Sequence, residues 1–127
     1  MRYILDTNAF IFYLYNPERL SKVAVDIVHN EDNQIYVSIV SLWEIAIKSS
    51  IGKLEIKNSM EEIAEICLKY KIELLAINPQ HLDQIANLPQ IHGDPFDRLI
   101  ISQAIAENLT IVTSDSIIPK YDANTIW

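Results

Sequence analysis

"MRYILDTNAFIFYLY", residues 1–15, contains a strand-sized apolar run, "RYIL", that ends at Asp6 and passes at once into a second apolar segment. The first run is short, as a buried strand is, and "NAFIFYLY" after it is long enough for a helix. The alternation then repeats. Ser21 caps a helix to about Asn30, "QIYV" at 34–37 is a second strand, and "SLWEIAIKSSI" at 41–51 is a helix opened by the capping box Ser41-x-x-Glu44. "SMEEIAEICLKY" has its own capping box, Ser59 to Glu62, and a stripe of Ile63, Ile66, Cys67 and Tyr70 that places Cys67 in the core. "IELLAI" at 72–77 is a third strand, and Asn78-Pro79 starts a helix carrying Leu82, Ile85 and Ala86. "LTIVT" at 109–113 is a fourth strand and "NTIW" a short fifth, after a turn around "SIIPKY". Strands alternating with helices predict an α/β fold: a mostly parallel sheet of four to five strands, helices on both faces, and a ligand crevice at the carboxyl ends of the strands.

"HGDPFDRLIISQA", residues 92–104, supplies the last helix and two acids. Asp94 is placed as an N-cap, Pro95 as the first helical residue with no N–H to lose, and Asp97 as an acid near the positive helix end. At 3.6 residues per turn the apolar face is carried by Ile100, Ile101, Ala104 and Ile105, and Asp97 points along the middle of it. An ionised acid facing inward costs several kcal/mol unless something compensates it, and a cation is one candidate.

At 127 residues the chain is expected to form a single domain, 1–127, burying about two-thirds of its unfolded surface. Half the residues are hydrophobic and two are glycine, which argues against disorder. The apolar N-terminus is interrupted by Asp6, Asn8 and Asn16 and no small-residue cleavage site follows, so neither a signal peptide nor a membrane span is expected. One cysteine excludes an internal disulfide, and the expected compartment is the cytoplasm, where the sequon at Asn108–Thr110 has no consequence. The net charge of −7 argues, taken alone, against a nucleic-acid binder. That objection weakens if converging acids hold cations, since two divalent ions would bring the charge to about −3 and reverse the local potential. Lys48, Lys53 and Lys57 form a local basic stretch, whose simplest role is a solvated face.

Four acids have unusual placements: Asp6 and Asp115 at strand ends, Glu44 and Asp97 near helix starts. Singly, each has an ordinary structural role. Asp6 can cap the following helix, Asp115 can be a turn acid, and Glu44 can be the partner of Ser41 or the i,i+4 partner of Lys48. Glu44, however, shares a helix stripe with Val40, Ile47 and Ile51, as Asp97 does with its own apolar set. If all four meet, repulsion raises their pKa values unless metal neutralises them, and oxygen-only ligation points to Mg²⁺ or Mn²⁺ rather than zinc. Such ions activate water and stabilise charge on a phosphoryl oxygen.

Together, "YILDTNAF", "VSLWEIAIKSSIGKL", "HGDPFDRLIISQA" and "LTIVTSD" resemble the PIN-domain ribonucleases, most closely the VapC-type toxins of toxin-antitoxin modules and the subgroup with a D-P-F-D-R segment. The resemblance spans nearly the whole chain. It implies a three-layer α/β/α sandwich, Mg²⁺ or Mn²⁺ held by the acids, endonucleolytic cleavage of RNA, a homodimer, and a cognate antitoxin that sets a basic side chain at the acidic crevice. Asp6, Glu44 and Asp97 match the family's three core acids and Asp115 its more variable fourth. Thr7, Asn8 and Thr113 fall where the family places polar residues that hydrogen-bond the ligating carboxylates, with Asp94 beside them mainly as the helix cap. Lys48 and Arg98 are positioned to contact RNA phosphates, or equally to form surface ion pairs.

His29 ends a helix, His81 lies in a first helical turn, and His92 alone stands near the acids, as a loop residue ahead of an N-cap. Trp43, next to Glu44, is expected to pack in the core or a dimer interface rather than stack on a base. Two other functions compete. Aspartate-nucleophile phosphatases also place an acid after the first strand but need a second Asp two residues on, where this chain has Asn8. A PIN module that binds RNA or protein without cutting is favoured by loss of ligating acids, and all four are present.

Overall fold

A computed structural model describes residues 1–127. The chain runs β1 (Arg2–Leu5), α1 (Thr7–Tyr15), α2 (Lys22–His29), β2 (Gln34–Ser38), α3 (Ile39–Ser50), α4 (Met60–Lys69), β3 (Ile72–Leu75), α5 (Pro79–Ala86), α6 (Pro95–Glu107), β4 (Thr110–Val112) and β5 (Thr125–Ile126). Short 3₁₀ turns at Pro17–Arg19 and Ile118–Lys120 complete it.

All five strands are parallel, in the order β3-β2-β1-β4-β5. β1 is central: Leu5 lies opposite Val37 of β2 on one side and Val112 of β4 on the other. The strand period of two divides its side chains between two cores. Tyr3 and Leu5 enter one with Phe10, Ile45, Ile63 and Cys67; Ile4 enters the other with Ile100, Ile101, Ala104 and Ile111. Ile4 and Leu5 are fully buried, each contributing roughly 1.5–3 kcal/mol through removal from water. Two cores flanking one sheet make the three-layer α/β/α sandwich of the sequence expectation.

The chain builds outward from β1 to β3 and then returns to place β4 on the other side of β1. Between β1 and β4 the order reverses, and there the loops leave a crevice at the carboxyl ends. Asp6 and Asp115 follow these two strands.

Local details differ from the sequence expectation in four places. α3 begins at Ile39, not residue 41: Ser38, the last residue of β2, is its cap, accepting from the Val40 N–H at 3.1 Å. Ser41 therefore sits inside the helix, and the capping box with Glu44 does not form. The third strand stops at Leu75. In α4, Ile63 and Cys67 are buried but Tyr70 is exposed, because it falls at the helix C-cap. On α5 it is His81 that is buried and Leu82 that faces out. The box from Ser59 to Glu62 and the caps at Ser21, Asn78 and Asp94 are formed as expected.

Candidate metal centre

Asp6 leaves β1 and caps α1: Oδ1 accepts from the Ala9 N–H at 2.8 Å, and Oδ2 accepts from the Thr113 hydroxyl. The side chain is buried. Burial pushes its pKa up to about 6, raised further by the charges of Asp115 and Glu44 and held back by the bonds from Thr113 and Ala9.

Asp97 stands in the first turn of α6, where Asp94 fixes the backbone. The cap carboxylate accepts from the Phe96 N–H at 2.8 Å and the Asp97 N–H at 3.2 Å. Pro95 has no N–H to satisfy, so this cap serves the two donors that need it. The Asp97 carboxyl is thereby free to face the crevice. Its pKa is pushed up to about 7, first by burial, then by the charges of Asp94, Asp6 and Glu44, with His92 acting in the opposite direction.

Glu44 projects from the second turn of α3 and is buried at 4 % exposure. One oxygen binds Lys48 Nζ at 2.7 Å, the i,i+4 pair, while Oε1 is buried without any partner. Lys48 is raised in pKa, chiefly by this hydrogen bond. Asp115 follows β4; its Oδ1 accepts from the N–H groups of Ile117 (2.6 Å) and Ile118 (3.2 Å), and its Oδ2 faces His92. One atom each from His92, Asp97 and Asp115 lies within 4.8 Å of the others.

Thr113 ties two of the acids together, donating to Asp6 and accepting the Asp115 N–H at 3.0 Å. Thr7 pairs with the Ser41 hydroxyl at 3.0 Å, joining α1 to α3 rather than bonding a carboxylate. Asn8 is exposed and makes no hydrogen bond to the acids. Arg98 differs from its expectation as a surface cation: it is buried and turned toward the α5–α6 loop, in no ion pair. Its guanidinium donates to the carbonyls of Pro89 (2.8 Å) and Leu88 (3.4 Å) and to the Tyr121 hydroxyl (3.2 Å). Trp43 is 57 % exposed, its ring edge-on to Phe96 at 5.1 Å, and so is not a core residue. Tyr121, with no motif around it, is the participant that sequence patterning missed; His92 was visible only by its closeness to Asp94.

This donor set fits a hard divalent cation. Asp6, Glu44 and Asp97 act electrostatically on one another, two with raised pKa values, and a buried carboxylate oxygen of Glu44 has no partner. Such an orphan is costly unless a cation or water completes it.

The chain belongs to the PIN domain family, whose model matches residues 3–124. Similar solved structures carry the same fold at low identity. A chain of VapBC2 from Rickettsia felis bound to a DNA fragment from their promoter is 21 % identical with a TM-score of 0.75, the match covering 100 % of this chain and 99 % of that one. A chain of VapBC-1 from nontypeable Haemophilus influenzae is 22 % identical with a TM-score of 0.69, covering 99 % and 97 %. A chain of DNA-bound VapBC from Salmonella typhimurium is 18 % identical with a TM-score of 0.69, also covering 99 % and 97 %. No curated protein sequence matches the chain significantly.

Proposed function

We propose that this PIN domain, acting as one unit over residues 1–127, is a Mg²⁺- or Mn²⁺-dependent endoribonuclease of the cytoplasm and the toxin of a toxin-antitoxin pair. The observation that carries the nuclease is that Asp6, Glu44, Asp97 and Asp115 stand close enough for Glu44 and Asp115 to raise the pKa of Asp6 and for Asp6 and Glu44 to raise that of Asp97, with one buried oxygen of Glu44 left without a partner. The likeness to VapBC structures supports the toxin assignment.

Asp6, Glu44, Asp97 and Asp115 hold the metal, which when bound supplies an activated water and neutralises charge on the phosphoryl oxygen. Thr113 keeps the Asp6 carboxylate oriented through its hydroxyl, and Asp94 keeps the first turn of α6 in place under Asp97. Lys48, paired to Glu44 but 43 % exposed at its side chain, is the cation at the rim able to meet a phosphate. No protein nucleophile is required. The partners that follow are an RNA substrate, a second copy of the chain, and an antitoxin whose basic side chain neutralises the crevice in place of metal.

One other function competes, a PIN module that binds RNA or a protein partner without cutting, and a net charge of −7 favours the protein partner within it. The test is cleavage of total RNA by wild-type and Asp97→Asn protein with Mg²⁺, Mn²⁺ or EDTA, mapping product 5′ ends. Discrete metal-dependent cuts lost in the variant are expected. Metal binding absent from the wild type would turn the assignment to the non-cutting module.

A further inference from the structure

Each acid that projects from a helix is preceded by an aromatic residue: Trp43 comes before Glu44 on α3, and Phe96 before Asp97 on α6. The two rings meet across the seam between these helices, edge-on, with centroids 5.1 Å apart and planes at 76°. Phe96 is fixed at its backbone, since its N–H donates to the Asp94 carboxylate at 2.8 Å, the same cap that orders Asp97. Its ring is half-buried and orients the indole, while more than half of the Trp43 side chain stays in contact with water. α3 starts directly after β2, and both aromatics lie in the opening turns of their helices, so they stand at the carboxyl ends of the strands beside the acids. Lys48, partly exposed and influenced by the charges of Asp94 and Asp97, borders the same seam.

We propose that Trp43, held by Phe96, is the shelf on which one base of a single-stranded RNA stacks while the adjoining phosphate enters the acidic crevice. The sequence favoured the core or a contact between copies for this residue; its exposure removes the first, and the size of the patch argues against the second. Beside Trp43 the exposed apolar surface on α3 is Ile39, and Ile51 lies eight residues on, about 12 Å along the axis. An aromatic side chain covers about 150–250 Å² at most, far below the roughly 800 Å² per partner of a stable protein interface. A nucleobase needs only one ring face. The indole has two side-chain torsions, so ordering it costs little, and every base has a face to stack. The shelf therefore sets the register of the strand against the acids and not its sequence. It rests on the endoribonuclease reading above, since a base shelf serves no purpose in a module that takes a protein partner.

The test measures binding of a random-sequence single-stranded RNA 12-mer, and of an abasic ribose-phosphate chain of the same length, with Ca²⁺ in place of Mg²⁺. The proteins are wild type, Trp43→Ala and Trp43→Phe, with thermal melts, sedimentation and Mn²⁺ calorimetry on each. Trp43→Ala should bind the RNA about 10-fold more weakly, the loss of one base–aromatic stack, and the abasic chain as well as wild type does. Trp43→Phe should recover most of that loss. The chain's other tryptophan is Trp127, so in Trp127→Phe protein the fluorescence of Trp43 should be quenched by the RNA and unchanged by the abasic chain. Equal RNA affinity in wild type and folded Trp43→Ala would overturn the shelf, and metal-dependent cleavage of total RNA by wild type would leave the nuclease standing. A change of sedimentation in Trp43→Ala would overturn it in favour of a contact between copies. A parallel loss of Mn²⁺ affinity would overturn it by making Trp43 a support of Glu44. Neither RNA binding nor cleavage by wild type would overturn both the shelf and the nuclease.

Discussion

Thr113 donates its hydroxyl to the Asp6 carboxylate and accepts the backbone N–H of Asp115 with the same oxygen, so one side chain after β4 orders acids from two neighbouring strands. Thr113→Val removes both bonds with little change of shape. Loss of such support is expected to weaken Mn²⁺ binding about 10-fold or more, and to destabilise the fold by about 1–3 kcal/mol, since Asp6 keeps its burial but loses a donor. Thr113→Ser should retain both properties. Calorimetry and denaturant titration measure the two effects, and a valine variant with unaltered metal affinity would remove Thr113 from the site.

Asp97→Asn should weaken Mn²⁺ and Mg²⁺ binding. Equal affinity in both proteins would remove Asp97 from the set of ligands.

The raised pKa values set the sign of a pH effect. Asp97 at about 7 and Asp6 at about 6 lie above the ordinary value of 3.8, so the folded protein binds protons more tightly than the unfolded chain. Their contribution to stability is fully present below pH about 4 and is lost as pH rises to about 7. Without metal, wild type should therefore lose stability relative to Asp97→Asn over that window, by on the order of a few kcal/mol. Thermal melts of the two proteins from pH 4 to 8 measure the difference, and saturating Mn²⁺ should stabilise the wild type more than the variant. A constant difference across the window would show that Asp97 is not raised.

His81 is fully buried between α5 and α6. Its Nδ1 accepts the Asn78 N–H at 3.1 Å and its Nε2 meets Glu107 Oε2 at 2.9 Å, closing the α5 cap onto α6. His81→Ala opens a cavity and strands both partners, with an expected cost of about 2–4 kcal/mol and no change in Mn²⁺ affinity. Chemical denaturation measures the cost. A loss below about 0.5 kcal/mol, the scale of ordinary surface substitutions, would mean that His81 does not hold the helices together.

A basic antitoxin side chain in the crevice should inhibit cleavage and compete with Mn²⁺. Co-expression of the neighbouring gene's product, followed by RNA cleavage with and without it, tests this; undiminished cleavage in the complex would exclude an inhibitory partner.

The sequence by itself determined the features that depend on near neighbours. Strand and helix alternation, the caps at Ser21, Ser59, Asn78 and Asp94, and the inward placement of Glu44 and Asp97 all follow from spacings of a few residues. Tertiary structure decided the rest, because those choices turn on partners distant in the chain. Ser38 rather than Ser41 caps α3 because the ladder with β3 carries β2 through Ser38, leaving Ser41 to meet Thr7, 34 residues away. Arg98 turns inward because Tyr121 and two loop carbonyls offer buried acceptors to its fork of donors, which no local pattern around "DPFDR" discloses. His92 reaches Asp115, 23 positions on, only because β4 packs beside β1. Local spacing settles which elements form and which face they bury; the parallel crossovers settle which side chains share a crevice.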